Sequence, residues 1–112
     1  MTAFNIVRMR VKPGRDEEYL SMHRRFDPAG LERMRKAGLR RFSIVKTGDR
    51  AYCFLGEWDS YDSIVKSRPD MIGQLDQMRD ILEDLGNGLG VTDPISGDVA
   101  VSMEVASKMA AE

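Results

Sequence analysis

The sequence predicts a ferredoxin-like α+β fold: a βαββαβ chain whose four strands form one antiparallel sheet with the helices on one face. Three observations carry this expectation. Ala3 to Val11 alternates with period 2, setting Ala3, Asn5, Val7, Met9 and Val11 against Phe4, Ile6, Arg8 and Arg10. Arg50 to Ser60 is the best strand signal in the chain, because Tyr52, Cys53, Phe54, Leu55 and Trp58 suit a buried pleated surface. Two stretches with apolar residues at helical spacing, one after each of these strand regions, supply the helices. Everything else reads as packed beside or over the strand at 50–60.

The elements follow in order. Lys12-Pro13-Gly14 ends the first strand, since proline cannot donate to a ladder and glycine permits the turn. Arg15 to Phe26 is the first helix: Tyr19, Met22, His23 and Phe26 recur at i, i+3, i+4 and i+7. Asp16, Glu17 and Glu18 lie in its first turn, where the helix dipole favours acids. Asp27 caps and Pro28 starts a second helical segment to Lys36, with Leu31 and Met34 inward, and Gly38 stops it. Leu39 to Thr47 is the second strand, with Phe42 and Ile44 on one face and Ser43 and Val45 on the other. Gly48-Asp49 joins it to the third strand in a short hairpin.

Asp59-Ser60 caps the next helix, expected from Ser60 to Leu85 in two pieces. A short piece carries Tyr61, Ile64 and Val65, and Pro69 marks a break. The long piece carries an apolar stripe from Met71 and Ile72 through Leu75 and Met78 to Ile81, Leu82 and Leu85. Its methionines read as core packing rather than a binding groove. Gly86 to Asp98 reads as a loop. The run Gly86-Asn87-Gly88-Leu89-Gly90 is no phosphate loop, because it follows a helix and no Lys-Ser/Thr pair closes it. Val99, Val101, Met103 and Val105 alternate as the fourth strand, and residues 106–112 are expected to fray or to swing over a partner.

This topology puts the first and third strands in the middle and leaves one sheet face without helices. That face is expected to carry Phe4, Ile6, Tyr52 or its neighbours and, depending on phase, Trp58. Exposed aromatics mark an interaction site, so a homodimer packing sheet on sheet is expected. The monomeric alternative folds the Gly-rich loop over the sheet.

Length and composition bound the rest. The chain of 112 residues is expected to be one domain, 1–112, with 42 % apolar residues and a net charge near −1. That balance implies no overall pull toward nucleic acid or membrane. The cluster Arg33, Arg35, Lys36, Arg40 and Arg41 is offset by nearby acids and lacks interleaved aromatics, which also argues against nucleic acid. No apolar run reaches the ~18 residues of a membrane span, and no secretory leader pattern opens the chain. The one Cys, Cys53, reads as a core residue, and a cytoplasmic setting fits. One Cys and one His cannot supply a structural zinc set.

The candidates for chemistry are His23, Tyr19 and Trp58, with Arg8, Arg10, Glu57 and Asp59 weighed beside them. His23, the only His, lies four residues after Tyr19, so the two share a helix face, and imidazole beside phenol is a plausible acid/base pair near neutral pH. The bland alternative is a histidine hydrogen-bonded at the core edge. Trp58 ends the organising strand and is either a core residue or the wall of an aromatic-ligand pocket. Arg8 and Arg10 should face the helix-free side, where they meet an interface or an anion. Glu57 and Asp59 flank Trp58 and read as solvated ends plus a cap.

Residues 4 to about 105 resemble the dimeric α+β barrel superfamily. The resemblance rests on Val11-Lys12-Pro13-Gly14-Arg15-Asp16-Glu17-Glu18-Tyr19, on Gly38-Leu39-Arg40-Arg41-Phe42, and on Leu55-Gly56-Glu57-Trp58-Asp59-Ser60. The last is similar to the Glu-Trp-acidic/Ser ending of antibiotic biosynthesis monooxygenase-like domains. The resemblance implies a homodimer whose cavity holds a small phenolic ligand, oxidised in some members with dioxygen and no metal or flavin cofactor, with Trp58 at the strand-end position. The haem-degrading branch has an Asn in the first strand and a His after the Trp. Val7 aligns with that Asn here and no His follows Trp58, so haem degradation is not implied. The first helix, Glu17-Glu18-Tyr19-Leu20-Ser21-Met22-His23, is also similar to that of L-rhamnose mutarotases, which implies Tyr19 and His23 facing a sugar. Gln74-Leu75-Asp76-Gln77 stands where their paired tryptophans would be. A non-catalytic ligand-binding or stress-related dimer is the remaining expectation.

Overall fold

In the computed structural model, which describes residues 1–105, the chain runs through β1 (Ala3–Arg10), α1 (Asp16–Arg24), α2 (Pro28–Ala37), β2 (Leu39–Gly48), β3 (Ala51–Trp58), α3 (Tyr61–Met78), a single 3-10 turn (Arg79–Ile81) and β4 (Asp93–Asp98). The strands form one antiparallel sheet in the order β2-β3-β1-β4, the ferredoxin-like arrangement. Asp27 caps α2 by accepting the Gly30 amide, and Ser60 caps α3 by accepting the Ser63 amide. Gly38 ends α2 at φ 128°, a backbone angle that glycine alone adopts freely.

Register fixes which side chains meet the helices. Ala3 lies opposite Trp58, Asn5 opposite Gly56, Val7 opposite Phe54 and Met9 opposite Tyr52, and directly opposed residues share a face. Buried Tyr52 and Trp58 therefore face the helices, so of the two options left open for the uncovered face it is Tyr52's neighbour Cys53, and not Trp58, that the phase places there. The phase is set by Ala3, Met9 and Val11, which are buried with them. The open face carries Phe4, Ile6, Arg8 and Arg10 from β1, with Cys53 and Leu55 from β3.

Two further expectations are corrected. Pro69 does not break α3, which runs unbroken from Tyr61 to Met78. Proline removes the hydrogen bond to the carbonyl of Val65, but Val65 lies on the exposed side of the helix, where losing one bond costs least. The helix also stops well before Leu85. Lys12 donates to the Ile81 carbonyl and Glu83 to the Arg10 carbonyl, so the chain past the 3-10 turn is tied to the end of β1.

The fourth strand is Asp93–Asp98, within the stretch expected to be loop, and not Val99–Val105. It occupies the sheet edge, so its outer side needs no partner and tolerates Pro94. A turn through Gly86, Asn87, Gly88 and Gly90, all at positive φ, aims it back along β1. Residues 99–105 continue beyond it without strand pairing, and Val101, Met103 and Val105 are more than four-fifths exposed. The expected tail, 106–112, lies outside the described residues.

The core falls into two clusters. One gathers Met9, Val11, Tyr19, Tyr52, Phe54 and Met78 with the 3-10 turn. The other gathers Ala3, Met34, Leu39, Trp58 and Ile64. Among the described residues, no helix is long and apolar enough to cross a membrane.

Candidate functional site

A cavity of about 520 Å³ opens between the helix side of the sheet and helices α1 and α3. Both core clusters line it, through Met9, Phe54 and Met78 on one side and Ile64 on the other. Its size falls within the range of small-molecule sites, which are mostly apolar with a few placed polar groups. Those groups here are Asn5, His23, Gln74, Thr92, Ser96 and Arg68. Tyr61, Arg68 and Ile72 on α3 and Pro94 and Ser96 on β4 are exposed, which puts the mouth between these two elements.

His23 is the central group. Helical spacing stacks it on Tyr19, with ring centroids 4.6 Å apart and the planes at 79°. Phe54 and Phe42 lie at 6.3 and 6.5 Å. The residue is only 8 % exposed, and neither ring nitrogen has a hydrogen-bond partner among the described residues. Burial among aromatics disfavours the charged form and pulls its pKa down to about 4, so the imidazole is neutral near pH 7.

Tyr19 lies beside His23 but not on the cavity. It is fully buried, and its hydroxyl donates to the Met9 sulfur at 3.7 Å. Burial raises its pKa far above the usual phenol value. Tyr52 stacks behind it at 5.0 Å and donates to Asp16 at 2.6 Å. That bond, with burial second, pushes the Tyr52 phenol up to about 12. The two tyrosine rings back the imidazole at the cavity wall.

Trp58 is fully buried and also stands behind the wall. Its indole Nε1–H donates to the Asn5 side-chain oxygen at 2.6 Å, and the Asn5 amide donates weakly to the Met71 sulfur at 3.5 Å. Asn5 lines the cavity, so Trp58 acts on the site by fixing that amide. Gly56 makes the contact possible: a Cβ there would collide with the Asn5 oxygen and sit 2.7 Å from the indole nitrogen.

Sequence reasoning aligned Val7 with the first-strand asparagine. The residue that meets the tryptophan is Asn5, two positions earlier on the same face. The signal was present: a lone polar residue on the inward face of an alternating strand. Gln74 was another such case, 7 % exposed and donating to the Met22 carbonyl at 3.2 Å.

Other candidates are placed elsewhere. Arg8 lies opposite Asp93 and donates to it at 3.0 and 3.2 Å across the strands. Asp59 holds Arg40 at 2.6 Å, with Glu57 next to the same guanidinium. Cys53 is a half-buried free thiol on the open face. Among the described residues, no group of three or more His, Cys, Asp or Glu side chains is placed to hold a metal ion.

No family model matches the chain, and no curated protein matches it. Solved structures do. An antibiotic biosynthesis monooxygenase-like protein from Nitrosomonas europaea is 13 % identical, covers 88 % of this chain and 90 % of its own, and superposes with a TM-score of 0.69. A dimeric ferredoxin-like protein from an uncultured marine organism is 18 % identical over 95 % of this chain and 93 % of its own, with a TM-score of 0.70. SnoaB, a cofactor-independent oxygenase from Streptomyces nogalater, is 13 % identical over 91 % and 96 %, with a TM-score of 0.65. The chain thus has the fold of antibiotic biosynthesis monooxygenase-like proteins.

Proposed function

We propose that the chain binds a small phenolic ligand in the cavity between the sheet and helices α1 and α3, and that dioxygen oxidises it there, being reduced in turn, without a metal or organic cofactor. The observation that carries this is His23. A buried imidazole with both nitrogens unpartnered is a costly arrangement, of order 1–3 kcal/mol, unless a ligand completes it. A ligand hydroxyl would donate to the neutral ring, while the apolar walls hold the aromatic body and the Asn5 amide fixes its orientation. Tyr19 and Trp58 are positioning residues, holding His23 and Asn5 from behind. The similar fold of SnoaB supports the oxidative part.

Magnitudes limit the acid/base role. Moving a proton from an ordinary phenol, with a pKa of about 10, to an imidazole with a pKa of about 4 costs roughly 8 kcal/mol. His23 therefore serves first as a hydrogen-bond acceptor. It becomes a competent base only for hydroxyls more acidic than phenol itself. The site thus favours ligands whose ring carries electron-withdrawing groups. Sugar chemistry by Tyr19 and His23 together finds no support, since Tyr19 stays off the cavity.

The test is a panel of phenols and quinols, with binding followed by calorimetry and turnover by oxygen uptake. Wild type should bind at least one class and His23→Phe should weaken it by tenfold or more. Equal affinity in the two proteins would overturn the role given to His23.

We further propose that the protein is a homodimer packed through the open sheet face. Ile6, Val45 and Ile95 are exposed there, with Val101 and Met103 beyond. The dimeric protein of similar fold supports this. Sedimentation should give twice the chain mass, and Ile6→Asp with Val45→Asp should give monomers. A monomeric wild type would end the proposal. A cytoplasmic setting suits the free thiol of Cys53.

A further inference from the structure

The cavity contains one fully charged side chain, Arg68, and no carboxylate lines it. The sequence isolates this arginine. Its neighbours three and four residues away along α3 are Ile64, Val65, Met71 and Ile72, all apolar, so no ion pair within the helix is available. The nearest acid in sequence, Asp70, is held by Arg33 of α2 at 2.6 Å, and Lys66 takes Asp62 at 2.9 Å. Among the described residues, Arg68 makes neither an ion pair nor a side-chain hydrogen bond, whereas Arg33 and Arg35 on α2 and Arg79 in the 3-10 turn are paired. Among the described residues Arg10, Arg25 and Arg41 also lack an ion pair, but none of them lines the cavity. An unpaired guanidinium facing an apolar cavity is a site for an anion, which it binds as a planar fork.

The second observation is independent of the first. His23, more than nine-tenths buried, lines the same cavity, and neither of its ring nitrogens has a partner among the described residues. Arg68 is exposed at the mouth and His23 closed in at the wall, so the two define the ends of a ligand axis.

Building on the phenolic reading above, we infer that the ligand is an aromatic hydroxy acid, with its hydroxyl on His23 and its carboxylate on Arg68.

Three naphthalene probes separate the contributions: 6-hydroxy-2-naphthoate, 2-naphthol and 2-naphthoate. Affinities for the full chain are measured by calorimetry at pH 7.5. Wild type should bind the hydroxy acid about tenfold tighter than 2-naphthol. Arg68→Gln should abolish that preference and leave 2-naphthol binding unchanged, and Arg68→Lys should restore part of it. High salt should weaken the hydroxy acid alone, as expected for an exposed charge pair. Equal affinity of wild type for hydroxy acid and naphthol, or a preference surviving Arg68→Gln, overturns the anion site while leaving phenol binding intact. Failure of wild type to bind any of the three overturns both.

Discussion

Trp58→Ala should destabilise the protein by about 3–5 kcal/mol, the range for removing a large buried aromatic side chain. Trp58 is fully buried among Ala3, Met34, Leu39 and Ile64, at the end of β3 where the second core cluster closes. The loss has two parts. One is the cavity left by the ring. The other is the Asn5 oxygen, 4 % exposed as a residue and bonded to the indole at 2.6 Å, which loses its donor. Trp58→Phe separates them, since it keeps most of the ring and leaves Asn5 unpaired, for a cost of about 1–3 kcal/mol. The double variant Asn5→Leu/Trp58→Phe removes both partners and should recover part of that loss, because nothing polar is left unsatisfied. Ligand binding should not recover with it, since the amide is gone from the cavity wall. Trp58 is the only tryptophan, so unfolding by urea must be followed by circular dichroism. A Trp58→Ala midpoint within about 1 kcal/mol of wild type would mean that the indole contributes little to the second cluster.

The sequence was most legible where burial decided the pattern. The alternation from Ala3 to Val11 and the aromatics of β3 read correctly because one face of each must meet helices. The strand order followed from the topology rules. What misled was the far edge of the sheet. Val99 to Val105 alternates well but forms no strand beyond the one bond from the Val99 amide to the Thr2 carbonyl, while Asp93-Pro94-Ile95-Ser96-Gly97-Asp98 looks like a turn and forms β4. Strand propensity mostly reports packing on a half-buried surface, and β4 is almost wholly exposed. Its backbone ladder to β1 holds it, and a ladder leaves no mark in composition.

The candidate site was half legible for a related reason. His23 beside Tyr19 followed from helical spacing, which needs one element only. Asn5 against Trp58 needs the register between two strands, and Gly56 supplied the missing clue as the one residue small enough to sit opposite the amide. Arg68 was invisible because a charge on a helix is ordinarily a solvated one. Only the tertiary structure shows that it borders a cavity.

Stability should also depend on pH through His23, by about 3 kcal/mol between pH 6.5 and 4. In the fold its pKa is lowered to about 4, against 6.5 unfolded, because burial among Tyr19, Phe42 and Phe54 disfavours the charged ring. Between these values the unfolded chain holds a proton that the folded one does not, so stability falls as pH falls. The difference of two to three pKa units sets the size at about 3 kcal/mol. Above pH 6.5 the imidazole is neutral in both states and contributes no slope. Carboxylates titrate toward the lower end of the same range, so the comparison is with His23→Phe, which keeps them and lacks the imidazole. Urea midpoints from pH 7.5 to 4.5 should diverge, with wild type losing stability faster, and parallel curves would mean the ring is solvated in the fold. At pH 7.5 the variant should be as stable as wild type or more so, since phenylalanine leaves no unpartnered nitrogen. A substitution that strengthens the fold and abolishes phenol binding would identify a side chain kept at a structural cost for its ligand.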